Sequence, residues 1–377
     1  MTDLVLPQGA PWDDVRDALS HLVGRPDDPP THDGAVVVAT SGSSGTPKRV
    51  RLPGAALRAS GLGTAQVLGG HGTWILALPT HHVAGLQVLA RSALAGSTPV
   101  ALDQRPFTGA AFAAAVDRLA TSPQAPLRLT SLVPAQLRRL LEDEGGRTAL
   151  GQLDAVLLGG SAAEPSLLAA ARATGCRVLH TYGMSETSGG CVYDGVPLPG
   201  VRVRVDPEDS RIHLGGPVLA DGYVDNPDLT HARFVHDMEG RWFVTDDRGA
   251  LDAGGRLHVL GRVDDVIITG GLKVEPRDVE AVLTALPDVA DALVVGVPDP
   301  EWGQVVGALV VRAGSADATG THWPSQLREA LRPSLPPHAL PRRVVASDAI
   351  PLLPSGKPDR FRAVDLLRGG RMETLPR

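Results

Sequence analysis

Five short stretches of this 377-residue sequence combine residue types that can do chemistry together. The first, Thr40-Ser41-Gly42-Ser43-Ser44-Gly45-Thr46-Pro47-Lys48, follows the β-branched run Ala35 to Ala39. Its glycines let backbone N–H groups approach an anion, its hydroxyls donate hydrogen bonds and its lysine adds charge. It lacks the spacing of a Walker A loop, and a flexible Ser/Gly linker is the alternative. The second, Thr181-Tyr182-Gly183-Met184-Ser185-Glu186-Thr187, follows a strand expected to end at His180. An aromatic face, a hydroxyl and a carboxylate beyond the end of a parallel strand suit a nucleotide and its metal. A hard Mg²⁺ takes one carboxylate plus phosphate oxygens. Read alone, this stretch is equally an ordinary strand-to-turn transition. The third, Thr245-Asp246-Asp247-Arg248-Gly249, offers paired carboxylates to a metal, to acid–base work or to a ribose diol; in isolation it reads as a solvated hairpin turn. The fourth, Gly261 to Lys273, joins Arg262, Asp264 and Asp265 to a short apolar strand and a Gly270-Gly271 turn. The fifth, Pro354-Ser355-Gly356-Lys357-Pro358-Asp359-Arg360, puts a lysine on a glycine turn, from which it can reach outward.

Charge usage singles out the same places. The chain has 36 Lys+Arg against 42 Asp+Glu, a formal net charge of −6. Its only lysines are Lys48, Lys273 and Lys357, and each falls in one of the five stretches. The acidic balance argues against a general nucleic-acid binder. Two cysteines, Cys176 and Cys191, form no disulfide framework and lack metal-site spacing. There is no uncharged apolar run long enough for a transmembrane helix and no basic N-terminal region of a signal peptide. A soluble cytoplasmic protein is expected.

The elements that must position these residues predict an α/β fold. The first 35 residues read as loose. Strands are then expected at 35–39, 74–78, 98–102, 127–133, 155–158 and 176–180, alternating with helices at 54–68, 84–95, 107–120, 134–144 and 165–174. That alternation implies βαβ units and a mostly parallel sheet. The strands are continuous apolar runs, as when both sheet faces are covered. From Pro197 the texture changes to short strands at 201–205, 211–214, 242–244 and 256–260 between Gly and Asp turns, a small β-rich subdomain. Past Gly261-Arg262, a helix at 274–286, strands at 292–297, 305–311 and 342–346 and a helix at 326–331 make a compact α+β unit. The expected organisation is a large domain of parallel αβ-layered sheets plus the β-rich subdomain over residues 1–261, then a small mobile α+β domain over 262–377.

Taken in order, the five stretches resemble the motifs of the adenylate-forming superfamily of acyl-CoA synthetases, peptide adenylation domains and luciferases, over Val36 to Arg360. Thr181 to Leu198 and Pro79-Thr80-His81-His82-Val83-Ala84-Gly85-Leu86 are similar to the short actinobacterial 2-succinylbenzoate–CoA ligases of menaquinone biosynthesis. Most superfamily members carry over a hundred more residues at the N-terminus, and the short ligases do not. The resemblance implies ATP, Mg²⁺ and coenzyme A as co-substrates, and two half-reactions: adenylation of a carboxylate with release of pyrophosphate, then thioester formation with release of AMP.

The resemblance also implies roles. Thr40, Ser41, Gly42, Ser43, Ser44, Gly45, Thr46 and Lys48 hold the β- and γ-phosphates. Gly159, Gly160 and Ser161 line the adenine pocket, and Tyr182 of the Tyr182-Gly183 pair stacks on the base. Ser185, where many relatives have Thr, contacts the α-phosphate, and Glu186 holds Mg²⁺. Asp247 accepts the ribose hydroxyls with Arg262 alongside; relatives usually have Gly where this chain has Asp246, so either carboxylate can face the ribose, and spacing favours Asp247. Lys357 is the adenylation catalyst. The small domain rotates about Asp264, and Gly270 and Gly271 line the pantetheine tunnel. The role of Lys273 stays open. In the acyl pocket, His82 matches the histidine of relatives. Arg91, inside an apolar helical stretch, suits a second carboxylate, with a helix-surface arginine as the alternative; Ser188 is a further candidate for that carboxylate. The partners are small molecules, with no nucleic acid and no membrane insertion, and a homodimer is left open. Rival readings are a ligase for another aryl or acyl acid, a carrier-loading adenylation module and a non-catalytic acyl-binding relative. The second lacks a phosphopantetheine-attachment serine motif, and retention of Lys357 and Glu186 argues against the third.

Overall fold

A computed structural model describes residues 3–5, 9–28, 33–40, 48–102, 106–120, 127–163, 165–313, 323–353 and 358–369. The chain divides into two units. The first comprises Met1–Asp206, Ile212–Thr245 and Leu251–His258; the second comprises Pro207–Arg211, Asp246–Ala250 and Val259–Arg377.

In the first unit, β1 (Leu4–Val5) pairs parallel with β2 (Ala35–Thr40), which pairs antiparallel with β3 (Lys48–Pro53). The strand Gly222–Tyr223 completes this sheet on β3. Helix α1 (Trp12–Val23) corrects the expectation of a loose N-terminal region. It carries Asp13 and Asp14 in its first turn and buries Val15, Leu19, Leu22 and Val23, a helical stripe with acidic residues at the positive end of the dipole.

Next come α2 (Gly54–Leu68), β4 (Gly72–Leu76), α3 (Val83–Ala95), β5 (Val100–Ala101), α4 (Gly109–Ala120), β6 (Leu127–Leu132), α5 (Pro134–Glu142), α6 (Glu144–Leu150), β7 (Ala155–Leu158), α7 (Pro165–Arg172), β8 (Arg177–Met184), β9 (Gly189–Tyr193) and β10 (Val196–Pro197). The strands form one sheet in the order β10-β9-β8-β7-β6-β4-β5. Strands β4 to β8 run parallel, and β9 and β10 close the edge antiparallel. Side chains from sheet and helices, among them Ile75, Phe112, Leu132, Leu137, Val156 and Leu158, form a fully buried core. The single helix expected at 134–144 is two helices. Asp143 caps the second by accepting from Gly146 N at 2.6 Å, which forces the chain out of the first.

Two further corrections concern function. β8 does not end at His180. It pairs with β7 as far as His180, then continues to Met184 by pairing antiparallel with β9. And Thr245-Asp246-Asp247-Arg248-Gly249 is not a turn but lies within the long strand Gly240–Leu251, which pairs with Phe234–Asp237.

The continuation of β8 depends on glycine. A Cβ on Gly183 would sit 2.2 Å from Gly189 O and 2.7 Å from Gly190 Cα, so β8 and β9 approach too closely for a side chain. Gly183→Ala is therefore expected to cost about 1–3 kcal/mol through overpacking. That cost should lower the main thermal transition by several degrees in a calorimetric scan. An unchanged Tm would show that the two strands part without cost.

In the second unit, the strands Leu272–Val274, Ile267–Thr269, Gly303–Arg312 and Val289–Asp299 lie side by side, and Arg343–Ala346 adds parallel to Gly303–Arg312. The hairpin Val289–Arg312 alternates between two cores. Val294, Val306 and Val310 face the helices Pro276–Thr284 and Trp323–Leu331 through Val279, Leu283, Leu327 and Leu331. Leu293, Val295 and Leu309 face the helix Arg360–Gly369 through Ala363 and Leu367. Cys176 and Cys191 are free and buried, and burial pushes both thiols up to about 12, which leaves them protonated. Among the described residues, no helix is long and apolar enough to cross a membrane.

Candidate active site

The C-terminal end of β8 is where the first unit concentrates its chemistry. Tyr182, Gly183, Ser185 and Glu186 are all half-buried there. After Met184 the chain makes one 3₁₀ turn, Ser185–Thr187. Buried Thr187 fixes it: its hydroxyl accepts from Met184 N at 3.0 Å and donates to Gly189 O at 2.8 Å. The next residue, Ser188, has left-handed φ of 52°, uncommon outside glycine.

Glu186 is oriented by a residue that sequence reasoning missed. The Tyr223 hydroxyl donates to Glu186 Oε1 at 2.8 Å, and Ala220 N donates to Glu186 O at 2.9 Å. The Lys48 ammonium stands 5.8 Å from the centre of the Tyr223 ring. Lysine, tyrosine and carboxylate thus form one contiguous group, brought together because Tyr223 pairs with Val50 at the edge of the β2–β3 hairpin. The hairpin register sets Thr40 opposite Lys48. Ser41, Gly42, Ser43, Ser44, Gly45 and Thr46, expected at the phosphates, lie outside the described residues. Gly159 and Gly160 follow β7, with Ser161 half-buried beyond them. A Cβ on Gly159 would lie 2.6 Å from Thr181 Oγ1, so here two backbones approach closely.

A second group lies behind this turn, on α2, α3 and β9. α3 starts directly after His82, whose ring lies tilted at 47° to that of His81 with centroids 4.3 Å apart. One face of α3 carries Gln87 and, one turn on, Arg91. Arg91 is not on the helix surface; it is only 5% exposed. Its Nη2 donates to the Tyr193 hydroxyl at 3.3 Å, Tyr193 and Thr64 hydroxyls are 2.9 Å apart, and the guanidinium lies 5.1 Å from the Trp74 ring centre. Burial pushes the Arg91 pKa below its ordinary value, because desolvation penalises the charged form. Gln87 Nε2 donates to Ser188 O at 2.7 Å. Ser60 Oγ, Gln87 Oε1, Arg91 Nε and Ser188 Oγ are buried without a hydrogen-bond partner. Ser60, Thr64, Gln87 and Tyr193 escaped the sequence reading; the only signal was a glutamine four residues before an arginine in an apolar helix.

The second unit holds the remaining charged group. Arg262 grips Asp264 with two hydrogen bonds of 2.8 and 3.0 Å and stands 3.6 Å from both Asp246 and Asp247. Asp246 also meets Arg211 at 3.2 Å. Burial works to lower the Arg262 pKa, but the carboxylates of Asp264, Asp247 and Asp246 outweigh it and raise it. Gly270 and Gly271 make a left-handed turn at φ of 55° and 81°. A Cβ on Gly270 would meet the Trp302 ring at 2.6 Å, whereas one on Gly271 meets open space. Lys273 is exposed, and Lys357 lies outside the described residues.

A strand-end carboxylate beside a hydroxyl turn is an arrangement that suits a nucleotide and its metal, and the comparisons with known proteins give the class, a nucleotide-using enzyme. Residues 4–224 match the family model described as AMP-binding enzyme, and 278–357 match the AMP-binding enzyme C-terminal domain. The chain belongs to the AMP-binding enzyme family. It is 46% identical over 341 residues to a Mycobacterium tuberculosis protein named probable 2-succinylbenzoate–CoA ligase, covering 89% of this chain and 85% of that one. It is 31% identical over 339 residues to a Geobacillus 2-succinylbenzoate–CoA ligase, covering 84% of this chain and 66% of that one. Among solved structures, o-succinylbenzoate CoA synthetase from Bacillus subtilis, in complex with its acyl-adenylate intermediate, matches with a TM-score of 0.71 and 28% identity. That match covers 87% of this chain and 68% of the other.

Proposed function

We propose that this chain is an AMP-forming acid–thiol ligase that activates 2-succinylbenzoate with ATP and transfers the acyl group to coenzyme A, in menaquinone biosynthesis. The observation that carries this is local. A single seven-residue span, Tyr182 to Ser188, joins the Tyr223-held carboxylate of Glu186 to the buried group around Arg91. One end of a small acid would be activated there while the other is recognised. The similarity to ligases named for that acid supports the choice of substrate.

Carboxylates are poor electrophiles, so the first half-reaction gives the acid a leaving group. The carboxylate attacks the α-phosphate of ATP and pyrophosphate departs. In the second, the coenzyme A thiol attacks the acyl carbon and AMP departs. Positioning and charge neutralisation are the protein's share. Thr40, Lys48 and the loop between them would hold the β- and γ-phosphates. Gly159, Gly160, Ser161 and Tyr182 would receive the base, and the Ser185 hydroxyl would reach the α-phosphate. Asp247, favoured by its spacing in the motif, would accept the ribose hydroxyls, with the Arg262 guanidinium 3.6 Å away. The donor set at Glu186 fits Mg²⁺: Tyr223 occupies Oε1, and a hard ion needs one carboxylate oxygen besides phosphate oxygens. Bound there, the ion would neutralise phosphate charge. His82, Arg91 and Ser188 would serve the acyl group. Residues 262–377 would act as a lid turning at Asp264, with Gly270 and Gly271 beside the pantetheine path.

The test is ATP–pyrophosphate exchange across a panel of carboxylic acids, followed by addition of coenzyme A. Exchange with 2-succinylbenzoate at a kcat/KM far above other acids, and thioester on adding coenzyme A, is the expected result. Preferred exchange with another acid would leave the ligase reading standing but replace its substrate. Exchange with none would overturn both.

A further inference from the structure

Tyr223 reaches Glu186 from a very short strand. Gly222–Tyr223 is two residues long, and its register on β3 is carried by two ladder pairs, Gly222 with Arg51 and Tyr223 with Val50. A slip of one residue in such a pairing turns its side chains to the opposite face. Tyr223 would then leave the interior, where it is buried and donates to Glu186 Oε1. Charge on the other face of the pairing opposes the slip. Arg51 Nη1 donates to Asp221 Oδ2, and Arg49 Nη1 donates to Asp225 Oδ2 at 3.2 Å. The two aspartates flank Tyr223 in sequence, two residues before it and two after. Arg51 is itself clamped: its Nε and Nη2 donate to the two carboxylate oxygens of Asp3 at 2.8 and 2.9 Å, a bidentate geometry that fixes the guanidinium plane. Those bonds hold the Asp3 carboxyl below its ordinary pKa. The same segment meets both ends of the relay through its backbone, since Asp221 N donates to Arg51 O and Ala220 N to Glu186 O, each at 2.9 Å.

We propose that Arg51 is a positioning residue for the adenylation half-reaction: clamped by Asp3, it holds Asp221 and with it the strand register that aims the Tyr223 hydroxyl at Glu186. The proposal rests on the ligase reading above, in which Glu186 serves Mg²⁺. Arg51 acts through Asp221 and Tyr223 and touches no substrate in this role. With Tyr223 on Oε1, the Glu186 carboxylate has one orientation; released, it can turn. The Arg51 ion pairs are partly exposed, and such pairs add little to stability. What they supply here is register, so their loss is read in the metal dependence before it is read in Tm.

The test uses Arg51→Ala, Asp221→Asn and Tyr223→Phe. ATP–pyrophosphate exchange is followed at increasing Mg²⁺. Each variant should raise the Mg²⁺ concentration for half-maximal exchange by about tenfold, with KM for 2-succinylbenzoate within about twofold. Asp221→Asn leaves the clamp between Asp3 and Arg51 in place, so the same shift there assigns the effect to the register and not to the docking of β1. Arg51→Ala combined with Tyr223→Phe should go no further than Tyr223→Phe by itself, because both act through one hydrogen bond. A second readout needs neither nucleotide nor metal. The chain has three tyrosines, so the ¹³Cζ resonance of Tyr223 can be assigned from Tyr223→Phe. In Arg51→Ala and Asp221→Asn it should move toward its position in Glu186→Ala. Shifts in Mg²⁺ requirement that multiply in the double variant, or a Tyr223 resonance that stays in place, would overturn the proposal. A wild-type protein that exchanges with no acid, while the Tyr223 resonance still moves in both variants, would uphold the positioning of Tyr223 and overturn the ligase reading instead.

Discussion

Lys357→Ala is expected to slow acyl-adenylate formation by about 10²–10³-fold, while thioester formation from pre-made 2-succinylbenzoyl-adenylate and coenzyme A stays near the wild-type rate. The physical case starts from amino-acid usage. This chain uses arginine for all but three of its cations, so a lysine marks a place where a planar, five-donor fork would not serve. Between an attacking carboxylate and an α-phosphate, negative charge shifts from one oxygen to another as the bond forms. A compact ammonium on a flexible stem can meet both. The residues flanking this lysine are well anchored. Leu352 and Pro358 form an antiparallel bridge and Asp359 N donates to Pro351 O at 2.8 Å. Arg360 donates to Val294 O at 2.8 Å and meets Asp265 at 3.2 Å. These contacts hold the following segment independently of the residue substituted. Lys357→Arg should rescue little, because a guanidinium spreads its charge over a plane. Single-turnover measurement of each half-reaction separates the effects. Equal loss in both would show that Lys357 holds the fold or the nucleotide generally and would sink its catalytic role.

Much of this was legible because it is written in local patterns. Ala155–Leu158, apolar on both faces of the parallel sheet, stands out as an uninterrupted run. Ala35–Thr40 is legible as a strand for its β-branched run, but it lies in a separate sheet, antiparallel to β3, and not in the parallel sheet expected of it. Gly54–Leu68 coincides with the helix its composition predicts. Misreadings occurred where tertiary pairing overrides local preference. Thr181 to Met184 looks like a turn because it is glycine-containing and polar, yet β9 extends it as a strand. Asp246-Asp247 resembles a hairpin turn for the same reason, yet Trp242 and Phe243 pair with Val235 and Phe234 and carry the strand through it. The candidate site divides likewise. Glu186, Asp247 and Arg91 were visible as chemistry-bearing types in unusual places. Tyr223 and Tyr193 were not, because their importance lies in reaching Glu186 across 37 positions and Arg91 across 102. No sequence period reports such contacts. Sequence could name Arg91 as a candidate, but not that the fold leaves it buried and unpaired.

That last property gives Arg91→Met an outcome in which stability and function part. Methionine roughly conserves the buried length of the side chain and fills the space against Trp74 with little strain. It also removes a desolvated charge for which the described residues provide no counter-ion, and burial already pushes the Arg91 pKa down. Replacing a buried charge by an apolar group of similar volume is neutral to stabilising, so Tm should hold or rise. Recognition of the acid should suffer the opposite fate. With the guanidinium gone, a bound ring carboxylate would itself be the unpaired buried charge, and kcat/KM for 2-succinylbenzoate should fall by about 10²–10³-fold, mostly through KM. KM for ATP should stay within about twofold, since the phosphate-facing residues are untouched. A merely structural arginine would behave differently: its loss would lower Tm and weaken both substrates together. Thermal scans and steady-state kinetics on the same preparation decide between them. A protein that becomes firmer while losing its acid would show that the instability at Arg91 is retained for the substrate's charge.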